Sequence, residues 1–265
     1  MANKDASKGG IFGFRRGRKK DLESLGTTPL RLAKTDGRGV LDLSGEVVHQ
    51  YRQLYTRLTR EIPLPKRLGL IAALRGEGVT TVGLGLATVL ATDLEARFCL
   101  VETNWWWPGL AVLMDGFGTA SPAQPQEEGT PGLGEVVTGQ ATLDDALRPT
   151  GNERLWLLPA GEVTTEDRPR LARSRAMSKT LEALNERFDH LLLDVPAILA
   201  TSDAVPLAAQ ADGLCLVIRQ GVTPLPLIRQ ALDQLEHLPI RGVVLNGERV
   251  ATPRWLLQLI PEAFY

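Results

Sequence analysis

From residue 66 onward, short runs of uninterrupted apolar residues alternate with stretches whose apolar positions recur every three or four residues. This is the signature of strands and helices taking turns along an α/β chain. The apolar runs predict strands at Leu68–Leu74, Arg97–Val101, Leu155–Pro159, His190–Val195, Gly213–Ile218 and Arg241–Leu245. Most are apolar at consecutive rather than alternate positions, as in parallel strands buried on both faces. Helical spacing predicts helices over Thr80–Leu94, Glu166–Arg187, Ser202–Ala211 and Leu225–Leu238. The expected fold is a three-layer α/β domain, a mainly parallel central sheet flanked by helices. Ahead of it, Val47, Tyr51, Leu54, Tyr55, Leu58 and Ile62 share one face of an amphipathic helix over 45–62 that packs on the domain. Phe117–Pro131, rich in Pro, Gly and Ser, reads as a surface loop.

Composition adds a boundary and removes some chemistries. With 265 residues, 43% of them hydrophobic and 23% charged, the chain can bury one good core. No apolar run approaches the roughly 18 residues of a membrane span, and the first ten residues resemble no signal peptide. The expectation is a cytoplasmic protein. Cys99 and Cys215 each sit inside an apolar run, as small buried hydrophobes do. His49, His190 and His237 have no partner at ligand spacing, which argues against zinc.

The formal net charge of −1 hides an asymmetry. Residues 1–20 hold seven Lys/Arg, including Arg15, Arg16, Arg18, Lys19 and Lys20, against one acid, so this segment is about +6 and the rest about −7. With Ile11, Phe12 and Phe14 interleaved, it suits an anionic membrane surface as a peripheral contact. A solvated, disordered tail is the competing reading. Nucleic acid is not expected, because the acidic body repels phosphates. The resulting division is a basic N-terminal tail over 1–44, an α/β domain over 45–250 and a short C-terminal helix or tail over 251–265.

The strongest chemical signal follows the first core strand, where A-L-R-G-E-G-V-T-T runs from Ala73 to Thr81 and leads into a helix. A glycine-rich turn at a helix N-terminus aims backbone N–H groups and the positive end of the helix dipole at one point, which suits a phosphate. Against the pattern G-x-x-x-x-G-K-[ST], Gly78 and Thr80 agree, Ala73 takes the first glycine position and Val79 takes the lysine position. Arg75, Gly76, Glu77, Gly78, Val79, Thr80 and Thr81 are therefore candidate nucleotide-binding residues. Valine cannot carry the charge that lysine brings to the β- and γ-phosphates, and that loss weakens binding by roughly tenfold to a hundredfold. Arg75 either reaches a phosphate in its place or is a solvated loop arginine.

Several further segments occur in a fixed order: L-V-E-T-N-W-W-W-P-G-L at 100–110, P-G-L-G-E-V-V-T-G at 131–139, L-W-L-L-P-A-G at 155–161, F-D-H-L-L-L-D-V-P-A at 188–197, and G-V-V-L-N-G at 242–247. Together with the loop, they make the chain over about 46–250 resemble the bacterial tyrosine kinases (BY-kinases) of capsule and exopolysaccharide synthesis. These kinases, of the CpsD/CapB type, belong to the MinD/ParA-like group of P-loop proteins. The resemblance implies ATP or ADP with magnesium as ligands. Asp194 stands at the Walker B aspartate and Thr80 at the magnesium-binding hydroxyl. Asn246 stands where related proteins hold an asparagine near the base. A turn aspartate, a helix-start threonine and a turn asparagine are the bland alternatives.

The chain also departs from that pattern. The second acidic motif, L-I-D-A-D-x-R-R-P in the family, here carries Glu102 and Asn104 for its aspartates and Trp106 and Trp107 for its arginines. Glu102 and Asp194 are the candidate catalytic carboxylates. Trp105, Trp106 and Trp107 form either a partner-docking patch or local packing over the altered phosphate site. Of the E-x-x-R-x-x-R helix pattern used in ring assembly, His49, Arg52 and Tyr55 keep only the arginine. A tyrosine-rich tail is missing, since the three tyrosines are Tyr51, Tyr55 and Tyr265. With these losses, the resemblance implies a pseudokinase that regulates polysaccharide synthesis and export through partners. The implied partner is a membrane polysaccharide co-polymerase of the chain-length type. An active protein-tyrosine autokinase and a MinD/ParA-like positioning ATPase are the alternatives.

Overall fold

The computed structural model describes residues 11–13, 28–34, 39–110 and 131–247. In chain order the strands are β1 (Ile11–Gly13), β2 (Leu30–Ala33), β3 (Gly39–Leu43), β4 (Arg67–Ala72), β5 (Phe98–Glu102), β6 (Arg148–Pro149), β7 (Leu155–Leu158), β8 (His190–Asp194), β9 (Gly213–Arg219) and β10 (Ile240–Asn246). The helices are α1 (Gly45–Leu58), α2 (Val79–Asp93), α3 (Leu133–Thr138), α4 (Leu143–Ala146), α5 (Arg168–Ala172), α6 (Arg175–Arg187), α7 (Ala204–Ala208) and α8 (Leu225–Gln234). All six strands expected from the apolar runs are present.

One eight-stranded sheet has the order β1-β10-β9-β4-β8-β5-β7-β6. It is parallel throughout except where β6 meets β7. The continuous apolar runs divide between two cores. In β8, Leu191 and Leu193 face one core while Leu192 faces the other, and in β9 Leu214 and Leu216 oppose Cys215 and Val217. Strand side chains alternate in direction, so a strand covered on both faces must be apolar at every position. Helices α1 and α2 cover one face with Tyr51, Leu54, Val82 and Leu86, and α6 covers the other with Met177, Leu181 and Leu184.

Local chemistry fixes the helix limits. Ser44 caps α1, its hydroxyl accepting from the N–H of Val47 at 3.4 Å. The helix ends at Leu58 rather than Ile62, with the N–H of Thr59 closing on Tyr55 and Pro63 following. The single helix expected over Glu166–Arg187 is two, because Ser174 caps α6 by accepting from the N–H of Met177 at 3.1 Å. Ser202–Ala211 shortens to α7, five residues long.

The segment before residue 45 differs from a plain tail. Strands β2 and β3 form an antiparallel pair whose Leu32 and Leu43 are buried in the α1/α2 core. The backbone of β1 pairs in parallel with Val243–Leu245. These strands are short and make distant contacts, so local periodicity did not announce them. The basic residues Arg15, Arg16, Arg18, Lys19 and Lys20, most of the expected loop Phe117–Pro131, and Tyr265 lie outside the described residues. Among the described residues no helix is long and apolar enough to cross a membrane.

Strand β4 stands between β9 and β8. The chain leaves β4 for β5 beyond β8 and later passes from β8 to β9 on the other side, so its winding reverses beside β4. The carboxyl ends of strands at such a reversal open a crevice where α/β proteins bind ligands.

Candidate functional site

The loop 73–78 joins β4 to α2 at this crevice, and two glycines shape it. Gly76 and Gly78 have φ of +78° and +91°, the left-handed region that suits glycine. A Cβ on Gly78 would also collide with the side-chain amide of Asn246. The N–H groups of Val79, Thr80 and Thr81 lie in the first turn of α2, where no intrahelical acceptor exists. They and the helix dipole leave an anion-binding end.

Glu77 does not face that end. Its carboxylate is buried, 3% exposed, and accepts from the N–H of Ala73 at 2.9 Å and of Leu74 at 3.2 Å. The hydroxyl of Thr223, in the loop after β9, donates to the same carboxylate. Asn246, at the end of β10, donates its amide to the carbonyl of Glu77 at 2.8 Å. Two distant segments thus hold the loop, and the Glu77 side chain is used as an internal acceptor. Val79, in the lysine position, is half-buried and packs on the α1/α2 core.

Beneath the loop, neighbouring strands place Glu102 and Asp194 in register. Asp194 is buried, with the hydroxyl of Thr80 close enough to lower its pKa. Its Oδ2 is buried without a hydrogen-bond partner. Burial first, and then the charge of Glu102, push its carboxyl above the usual carboxylate range, while Thr80 draws it back. An orphaned buried carboxylate oxygen beside a hydroxyl fits a small hard cation that takes oxygen ligands and keeps several waters. Thr80 and Asp194 would hold magnesium, which when bound neutralises phosphate charge.

Glu102 is turned away from this chemistry. It is fully buried, and Oε1 accepts from the N–H of Gly109 at 2.5 Å and of Leu110 at 2.8 Å, while Oε2 accepts from the N–H of Ala160 at 3.1 Å. Burial raises its pKa and the three N–H donors oppose the rise. The carboxylate is a clamp that ties the tryptophan loop to the segment after β7. In this geometry both Glu102 oxygens are engaged by backbone N–H groups.

Within that loop, Asn104 accepts from the N–H of Trp107 at 3.2 Å and donates to its carbonyl at 3.0 Å, closing a turn. Trp105 is 2% exposed and donates its indole N–H to the carbonyl of Ala160 at 3.0 Å, so it belongs to the core. Trp106 is half-buried and donates to both oxygens of the buried Asp203 at 2.9 Å, with Arg168 4.6 Å above its ring. Trp107 is half-buried beneath the guanidinium of Arg75, 3.6 Å from the ring centroid. The loop also touches the helix start, since a Cβ on Gly109 would lie 3.3 Å from the Thr80 hydroxyl. Of the three tryptophans, Trp107 is the one that packs on a residue of the loop 73–78.

The structure therefore gathers the loop 73–81, Asp194 and Asn246 with Arg75 and Trp107. Thr223 and Asp203 join them, although no local motif marks either; each is identified by a partner far away in the chain. Arg52 is engaged within the chain, its guanidinium donating to Asp93 at 2.7 and 2.8 Å.

No protein-family model matches the chain. Among curated proteins it is 28% identical to the succinoglycan biosynthesis transport protein ExoP of Rhizobium meliloti over 183 residues, 68% of this chain and 22% of ExoP. It is 29% identical to the tyrosine-protein kinase CpsD of Streptococcus agalactiae over 191 residues, 71% of this chain and 78% of CpsD. The chain thus spans under a quarter of ExoP but most of CpsD. Among solved structures, the VpsO kinase domain superposes with a TM-score of 0.61 at 28% identity, covering 70% of this chain and 86% of that one. The cell-division ATPase MinD of Pyrococcus furiosus has a TM-score of 0.55 at 21% identity, covering 75% and 81%, a likeness of fold.

Proposed function

We infer, from the premise that this chain is a relative of the bacterial tyrosine kinases (BY-kinases) of exopolysaccharide synthesis, that it serves that process as a pseudokinase. Its action is to bind partners rather than to transfer phosphate. The observation that carries this reading is Val79, packed on an apolar core at the position where the loop pattern has its lysine. Phosphoryl transfer depends on positive charge placed against the moving phosphoryl group, and the valine supplies none. The use of Glu102 as a backbone acceptor supports the same reading, because it leaves Asp194 with an unpartnered carboxylate oxygen while Glu102 and Glu77 are engaged within the fold. The proposed partner is a membrane polysaccharide co-polymerase of the chain-length type. The proposed location is cytoplasmic, at the inner face of the membrane, with the basic residues 15–20 as the membrane contact.

Calorimetric titration of the whole chain with MgATP and MgADP, beside a Val79→Lys variant and a phosphotyrosine assay, tests this reading. The expected result is no phosphotyrosine from the native chain, with nucleotide affinity at least about tenfold higher in the lysine variant. Phosphate on Tyr265 or another tyrosine of the purified native protein would overturn it. One observation favours a second reading, an active autokinase: the orphaned Oδ2 of Asp194 beside Thr80 suits a magnesium site. That reading requires phosphotyrosine formation that depends on Asp194.

A further inference from the structure

We propose that Arg75 is the cation of this phosphate loop, and that Trp107 is a positioning residue which holds its guanidinium at the mouth of the site. The ligand class is a nucleoside polyphosphate with magnesium. The proposal rests on reading the loop as a phosphate site, and goes beyond it in assigning the missing charge.

The α2 N-terminus offers N–H groups without intrahelical acceptors, and the buried Oδ2 of Asp194 lies unpartnered beside it. That pairing of an anion end with a cation ligand is the signature of a metal–phosphate site. Its cation cannot come from Val79. Arg75 is exposed, three residues before the helix N-cap Gly78, and its guanidinium lies 3.6 Å above the Trp107 ring. Among the described residues it forms no ion pair, in contrast to Arg52, Arg170 and Arg187, which each pair with an aspartate. A guanidinium stacked by its face on an indole keeps its N–H donors free at the edge, where they fit phosphate oxygens two at a time. Trp107 is in turn fixed by the Asn104 turn and is two residues from Gly109, which abuts Thr80. The stack is thereby anchored to the residue at the foot of the proposed magnesium site.

The test is calorimetry of the whole chain with MgATP, MgADP and adenosine, and tryptophan emission followed in the same titrations. Variants are Arg75→Ala, Arg75→Lys, Trp107→Ala and Trp107→Phe, each checked for an unchanged melting temperature. The expected result is that the native chain binds MgATP and MgADP but not adenosine. Arg75→Ala should weaken binding about tenfold or more, and Arg75→Lys should recover part of the loss. Trp107→Phe, which keeps an aromatic face, should restore the affinity lost in Trp107→Ala, as a merely structural tryptophan would not. Binding in Arg75→Ala within twofold of the native chain overturns the proposal, as does absence of MgATP and MgADP binding by the native chain at millimolar concentration. Neither result touches the pseudokinase reading. Phosphotyrosine formation together with binding that depends on Arg75 overturns the pseudokinase reading and upholds this one.

Discussion

Replacing Glu102 by alanine separates a structural clamp from a catalytic acid by the sign of its effect on stability. The native carboxylate accepts from the N–H groups of Gly109, Leu110 and Ala160. Leu110 and Ala160 are buried, so their donors find no water when the acceptor goes, whereas Gly109 is half-buried and recovers part of its hydration. Each stranded buried donor costs about 1–3 kcal/mol. Removing a fully buried charge returns part of that sum, since burial raises the Glu102 pKa. The net expectation is a loss of about 3 kcal/mol, or about 6–12 °C in melting temperature for a domain of this size. Glu102→Gln keeps one oxygen for the Gly109 and Leu110 donors and turns an NH2 toward Ala160, for a loss of about 1–2 kcal/mol. Urea unfolding followed by circular dichroism and by tryptophan emission measures both variants. Emission should also shift at low urea, because Trp105 hydrogen-bonds to Ala160 at the far side of the clamp. A catalytic carboxylate held at a cost in stability behaves oppositely, and its removal stabilises the protein. An alanine variant as stable as the native chain, or more so, would refute the clamp.

Gly78→Ala should cost about 2–3 kcal/mol by urea unfolding, combining a left-handed φ of +91° with a collision against the Asn246 amide. Adding Asn246→Ala should return the steric share, visible in a double-mutant cycle. The Arg52–Asp93 pair is partly exposed, so the same kind of cycle should give a coupling below about 1 kcal/mol that shrinks in 1 M salt. Burial pushes the Cys215 thiol up to about 12 and raises that of Cys99 as well. Neither should therefore react with a disulfide reagent at pH 8 in the folded protein, while both react in urea. Rapid labelling of the native chain would contradict their placement in the two cores.

What the sequence determined by itself is the set of features encoded by neighbours in the chain. Continuous apolar runs require strands covered on both faces, so β4, β5, β7, β8, β9 and β10 were legible to within a few residues. The glycines at 76 and 78 before a helical run marked the tight turn between β4 and α2. The short strands at 30–33 and 39–43 were hidden, because two four- to five-residue strands become stable only against Leu32 and Leu43 in the α1/α2 core. The roles within the site were hidden for the same reason. Glu102 reads as an acid in a motif until Ala160, 58 residues on, is found donating to it. Glu77 and Thr223 meet across 146 residues, and Asn246 reaches Glu77 across 169. Three successive tryptophans look equivalent in sequence. The tertiary structure sends Trp105 into the core, Trp106 to Asp203 and Trp107 beneath Arg75. Hydrogen bonds and ring contacts of this kind depend on which distant groups the folded sheet brings within 3–4 Å, and no local periodicity carries that information.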